Sequence, residues 1–137
     1  MKKKLTVKEI LESKGKKKLT QVYVHTPLEA NACEKSEIDM IISSENNNFK
    51  FLRDNAKNTF FTVGLQYGRY LSEYEIIKKS FQLLELGADA IYCPQSARFI
   101  KAIANEGIPV VGHAGFIPYK LTQYGGFRAY GKKFEEA

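Results

Sequence analysis

The sequence predicts a parallel α/β sheet assembled from successive βα units. Two observations carry that prediction. Short apolar runs recur five times along the chain, and between them lie stretches with helical spacing and helix start or stop signals. Several of the runs are also continuously apolar rather than alternating, which marks strands buried on both faces.

The elements follow in order. Thr6-Val7-Lys8-Glu9 has the form of a capping box, and Val7, Ile10 and Leu11 behind it predict a short helix ending near Gly15. A β-rich run from Leu19 to Thr26 is stopped by Pro27, and residues 28–36, with Ala30 and Ala32, read as a helix. Ile38-Asp39-Met40-Ile41-Ile42 is the second strand, bounded by the polar stretch Ser43 to Asn48. Phe60 to Leu65 is the third. Ser72-Glu73-Tyr74-Glu75 is a second capping box, opening a helix through Ile76, Ile77, Phe81, Leu84 and Leu86 that Gly87 stops. Ala90 to Cys93 is the fourth strand, ending at Pro94. Phe99, Ile100 and Ile103 give residues 96–105 helical spacing, and Ile108 to His113 is the fifth strand. Beyond Ala114 the chain is rich in glycine and aromatic residues.

Five units in 137 residues form either a complete five-stranded flavodoxin-like open sheet or the first five units of an eight-unit (β/α)8 TIM barrel. Periodicity alone leaves both open. In either, chemistry sits at the C-terminal ends of the strands. That singles out His25 and Thr26, Ser44 to Asn46, Leu65 to Tyr67, Cys93 to Gln95, and His113 to Gly115.

Composition narrows the function classes. Hydrophobic residues make up 44% and charged residues 26%, an ordinary globular balance. No apolar run approaches the roughly 20 residues that span a bilayer, and the basic N-terminus is not followed by a signal-like apolar stretch. No membrane association is expected. Two isolated cysteines, Cys33 and Cys93, fit a reducing cytoplasm. The net charge of +6 lies entirely within residues 1–18, which hold eight lysines and two glutamates. The expected division is therefore a basic N-terminal segment with a short helix at 1–18 and a βα-repeat domain at 19–137. A basic tail can hold phosphates, but the body is neutral, so nucleic acid is not the expected partner.

No phosphate-binding G-x-x-x-x-G-K, dinucleotide G-x-G-x-x-G, paired C-x-x-C or H-E-x-x-H is present. The most informative segment is Gly112-His113-Ala114-Gly115-Phe116-Ile117-Pro118, followed by Gly125-Gly126-Phe127-Arg128-Ala129-Tyr130-Gly131-Lys132. A histidine between glycines at a strand end can meet a ligand oxyanion with little steric hindrance. The same ring could instead be a packed histidine satisfied by nearby carbonyls. Cys93 reads as a small buried thiol, since no activating partner is identifiable. His25 could approach His113 across a barrel mouth and form a metal or anion site with Glu45. Arg69, after the third strand, could pair a substrate carboxylate, although a solvated loop arginine is commoner.

The run G-H-x-G-[LF]-x-P, with G-G-[FY]-x-x-x-G-[KR] about seven residues later, resembles the ketopantoate hydroxymethyltransferase family. The Thr6-Val7-Lys8-Glu9-Ile10 opening, the Lys14-Gly15-Lys16 segment, Asp39-Met40-Ile41-Ile42-Ser43-Ser44-Glu45-Asn46 and Gly87-Ala88-Asp89 are similar too. The resemblance implies a barrel of the phosphoenolpyruvate/isocitrate lyase type. It implies transfer of a hydroxymethyl group from methylenetetrahydrofolate to α-ketoisovalerate in pantothenate biosynthesis, with magnesium polarising the keto acid. Carried over by position, the family's metal aspartate falls on Glu45, its substrate serine on Asn46 beside Ser44, and its strand-end histidine on His113. A second metal aspartate falls on Gly64, and a lysine and glutamate fall on Tyr92 and Pro94. The Tyr-Asp pair ending the first strand becomes His25 and Thr26. The resemblance thus implies substrate binding by His113, Asn46 and Ser44, with Glu45 as a metal ligand. It leaves the general base on a strand later than these five.

A barrel of this type takes about 250 residues, and five strands leave two open edges that invite pairing. The expectation is a truncated homologue whose chain continues beyond Ala137, a homo-oligomer or partner that covers the edges, or an open sheet. A transferase in the complete protein and a non-catalytic module binding a small carboxylate or a protein both follow from this reading.

Overall fold

A computed structural model describes residues 2–136. It contains five strands, β1 (Gln21–Tyr23), β2 (Met40–Ser44), β3 (Phe60–Gly64), β4 (Ala90–Cys93) and β5 (Val110–Gly112). Five α-helices accompany them: α1 (Val7–Glu12), α2 (Pro27–Lys35), α3 (Phe49–Asp54), α4 (Glu73–Glu85) and α5 (Ala97–Asn105). Single 3-10 turns lie at Pro118–Lys120 and Phe134–Glu136. The strands form one all-parallel sheet in the order β1-β2-β3-β4-β5. A flavodoxin-like sheet would place the second strand outside the first. The sequential order is that of consecutive barrel staves, and the flavodoxin-like alternative is set aside.

Side chains alternate across the sheet. Ile41, Phe61, Val63, Ile91 and Cys93 are buried toward the helices, packed with Ala30, Leu52, Ile76, Leu83, Phe99 and Ile103. Met40, Ile42, Phe60, Thr62, Ala90 and Tyr92 face the other way and line an apolar trough of about 530 Å³. Val7, Ile10 and Leu11 of α1 also line this trough. Burial on both faces, expected from the apolar runs, holds for β3 and not for β2, whose trough face is only half-buried.

The N-terminal segment is tied to the sheet by its lysines. Lys4 pairs with Asp89 at 2.5 Å, ahead of β4, and Asp89 also accepts from the Phe61 N–H at 2.9 Å and lies 3.3 Å from the buried Arg53 guanidinium. Lys2 donates to the carbonyls of Cys33 and Ile38 and to the Thr59 hydroxyl. Lys17 pairs with Asp39 at 3.1 Å.

Three helices open as capping boxes: Thr6 with Glu9, Thr26 with Glu29, and Ser72 with Glu75. Pro27, expected to stop the first strand, instead occupies the first helical position of α2, where its missing N–H costs nothing. The strand itself ends at Tyr23. Helix α3 has no counterpart in the sequence prediction. It is six residues long, follows the Asn46-Asn47-Asn48 turn, and buries Phe49, Leu52 and Arg53.

Candidate functional site

The C-terminal ends of the strands converge as the topology requires. There the alternation that fills the core also decides which strand-end residues face the trough. Ser44 and Gly64 end β2 and β3 on the trough side, and Tyr92 stands beside Gly64 in the β3–β4 register. Together with Tyr23, Ile42 and Leu65 they line a pocket of about 270 Å³ at the mouth.

Hydroxyl groups dominate its polar chemistry. The Ser44 N–H donates to the Tyr23 hydroxyl at 3.0 Å, and the Asn46 N–H donates to Ser44 Oγ at 3.2 Å. Both hydroxyls therefore accept from the backbone and keep their own protons for a ligand. The Tyr92 ring lies over Gly64, where a Cβ would sit 3.4 Å from Tyr92 Cδ1. Tyr92 Oη is 2.6 Å from His113 Nδ1, and His113 Nε2 is 3.0 Å from the Phe116 carbonyl oxygen. A carbonyl only accepts, so Nε2 carries a proton. In the neutral ring Nδ1 then accepts from Tyr92. Burial raises the Tyr92 hydroxyl above its ordinary range, with smaller contributions from Cys93 and Tyr119. Tyr119 stacks on Tyr67 at 4.1 Å, joining the segment after β5 to the loop after β3.

Glu45 lies one residue beyond the trough-facing Ser44, on the helix side. Its side chain is 1% exposed. One oxygen accepts from the Gln66 N–H at 2.7 Å. The other accepts from the Tyr70 hydroxyl and lies 3.8 Å from Lys79 Nζ on α4. Burial and this carboxylate together hold the Tyr70 hydroxyl well above its ordinary range. Arg69 Nη1 donates to Asn46 Oδ1 at 2.9 Å. The structure therefore gathers Ser44, Glu45, Asn46 and Arg69 around the ends of β2 and β3. His113 sits across the sheet with Tyr92.

His25 is not drawn to either group. Its ring packs on Tyr23 at 4.6 Å, and its N–H donates to Glu29 at the start of α2. Cys93 is fully buried with its thiol pushed up by that burial. Among the described residues, no three His, Cys, Asp or Glu side chains converge as a metal would require. Tyr23 and Lys79 were absent from the residues the sequence singled out. Tyr23 carried a readable signal, being the tyrosine of the β-rich run that ends at Thr26.

Residues 46–137 match the family model described as ketopantoate hydroxymethyltransferase. Curated relatives are 3-methyl-2-oxobutanoate hydroxymethyltransferases. That of Kosmotoga olearia is 28% identical over 152 residues, covering 93% of this chain and 57% of the relative. That of Thermosipho africanus is 29% identical, covering 94% and 58%. That of Sulfurimonas denitrificans is 29% identical, covering 99% and 60%. The chain thus spans somewhat more than half the length of the curated relatives it matches.

Proposed function

The chain belongs to the ketopantoate hydroxymethyltransferase family, and from that premise we propose that its strand-end mouth binds a small 2-oxo acid such as α-ketoisovalerate. The observation that carries this reading is the convergence of the Tyr23, Ser44 and Tyr92 hydroxyls on one pocket of about 270 Å³. Two of these hydroxyls have protons to donate to carboxylate or keto oxygens. Arg69, held beside β2 by Asn46, adds positive charge near the rim. His113 is a positioning residue here, since its contact with Tyr92 fixes the direction of that hydroxyl.

The residues present do not fit a resident magnesium ion. Magnesium demands near-octahedral oxygen ligation. Both Glu45 oxygens are engaged by Gln66, Tyr70 and Lys79, and Gly64 and Pro94 offer no ligand side chain. The first function of this chain is therefore binding, without transfer chemistry of its own. The second reading, hydroxymethyl transfer using methylenetetrahydrofolate, is favoured by the family and by the length of its relatives, and it belongs to a more complete assembly. In the same proposal the protein self-associates through its open sheet. It works in a reducing, cytoplasmic setting, consistent with two free, buried cysteines.

Calorimetric titration with α-ketoisovalerate tests the first reading. Binding is expected, unchanged by magnesium or by a chelator and weakened several-fold by Ser44→Ala. Exchange of the C3 proton into heavy water is expected to stay at the uncatalysed rate. No detectable binding, or magnesium-dependent exchange, would overturn it.

A further inference from the structure

A cavity of about 320 Å³ lies outside the mouth, between α4 and the loop after β3. Its α4 wall is formed by Glu75, Lys78, Lys79 and Gln82, residues three and four apart that share one helix face. Arg69 and Tyr70 form the facing wall. A guanidinium, two ammonium groups and the Gln82 amide therefore meet in one concavity.

The charge gathered there is not spent on neighbouring acids. Glu75 is the carboxylate of this wall, and its Oε2 accepts from the Leu71 and Ser72 N–H groups at 3.0 and 3.1 Å, closing the head of α4. Among the described residues, neither Arg69 nor Lys78 forms an ion pair. Lys78 Nζ lies 5.9 Å from the centre of the Tyr74 ring, a contact that brings no anion. Lys79 Nζ is 3.8 Å from Glu45 Oε2, beyond hydrogen-bond reach, and Arg69 gives Nη1 to Asn46 Oδ1 at 2.9 Å.

Two of the three cations are also held from behind. Glu45 and Asn46 are consecutive at the end of β2, and they fix Lys79 and Arg69 respectively. Lys79 is only 29% exposed in its side chain. The cations are thus positioned by the sheet, which lowers the ordering cost that a ligand would otherwise meet at loose lysines.

We propose that this cavity binds a phosphate dianion, free or carried as a small phosphomonoester. Donors on both walls suit a tetrahedral anion with several acceptor oxygens better than a planar carboxylate with two. The volume lies at the lower end of the roughly 300–1,000 Å³ found for small-molecule sites, leaving room beside the phosphate for a short ester group. The cavity shares no lining residue with the mouth pocket, so its test is separate from that of the 2-oxo acid reading.

That test is an NMR titration of the 137-residue chain, following the backbone amides of Arg69, Lys78, Lys79 and Gln82 and the Gln82 side-chain amide. The probes are inorganic phosphate, glycerol 3-phosphate, acetate and chloride at matched ionic strength. Both phosphates are expected to shift these signals saturably, and acetate and chloride are not. Tighter binding of glycerol 3-phosphate identifies the ester as the ligand; equal or weaker binding identifies the free ion. Lys78→Gln is expected to weaken phosphate binding roughly fivefold, the worth of one exposed charge pair. Gln82→Glu places a carboxylate three and four residues from Lys79 and Lys78, where it occupies the cations in the ligand's place. It is expected to abolish binding with the melting temperature unchanged or higher. Absence of shifts at these amides, equal shifts with chloride or acetate, or undiminished binding by the folded Gln82→Glu variant would each overturn the proposal.

Discussion

Glu34 shows how one side chain can join distant elements. It stands on α2, and its carboxylate accepts from the Asn58 backbone and side-chain N–H groups and from the Thr59 hydroxyl at 2.7 Å, just ahead of β3. Burial alone would raise its pKa, but these hydrogen bonds and the nearby Lys2 outweigh it and hold the carboxyl below its ordinary range. A group depressed on folding contributes stability above its unfolded pKa, roughly 4.3 for glutamate. That contribution fades as pH falls through the lower folded value. Acid unfolding followed by circular dichroism is therefore expected to steepen below that range. Glu34→Ala should cost about 1–2 kcal/mol at neutral pH and flatten the acid limb. Tyr92 and Gly64 offer a second residue-scale case. They are register partners, so the ring of one occupies the space beside the other. Tyr92→Phe leaves His113 Nδ1 without its donor and is expected to lower stability by about 1 kcal/mol in urea denaturation.

Among the helices, caps divide the elements into two kinds. Ser72 accepts from the Glu75 N–H at the head of α4, whereas Ser96 makes no such bond at the head of α5. Thermal denaturation should separate them. Ser72→Ala is expected to cost about 1 kcal/mol, and Ser96→Ala only a few tenths. The boxes at Thr6 and Ser72 were legible because their spacing and their apolar followers are local. The box at Thr26 was hidden by Pro27, which reads as a strand stop and serves equally well as the first helical residue. Helix α3 was hidden by its brevity, with Phe49 and Leu52 as its buried apolar residues and Arg53 buried as a cation. The candidate site was legible only as a set of strand ends. Which way Glu45 turns depends on β2 running to Ser44, and the meeting of Tyr92 with His113 depends on how β4 and β5 align. Neither is encoded locally.

At the scale of the whole molecule, the sheet is covered on one side and open on the other. Tyr23 and Val111, on the two edge strands, are each nearly half exposed beside an apolar trough. Such a face and its unpaired edges favour association. Sedimentation velocity is expected to show concentration-dependent oligomers, reduced by Val111→Lys, together with binding of a hydrophobic dye. A monomer at all concentrations with no bound dye would mean that the trough is closed in solution.

The order β1-β2-β3-β4-β5 has a consequence for how the protein is made. Each strand hydrogen-bonds only to the one before it and the one after it in the chain. During synthesis, every new strand therefore emerges from the ribosome with its template already present. Among the five described strands, none waits for a partner farther along the chain than the next unit. The molecule can grow as it is translated, one stave at a time, with its leading surface always ready for the next.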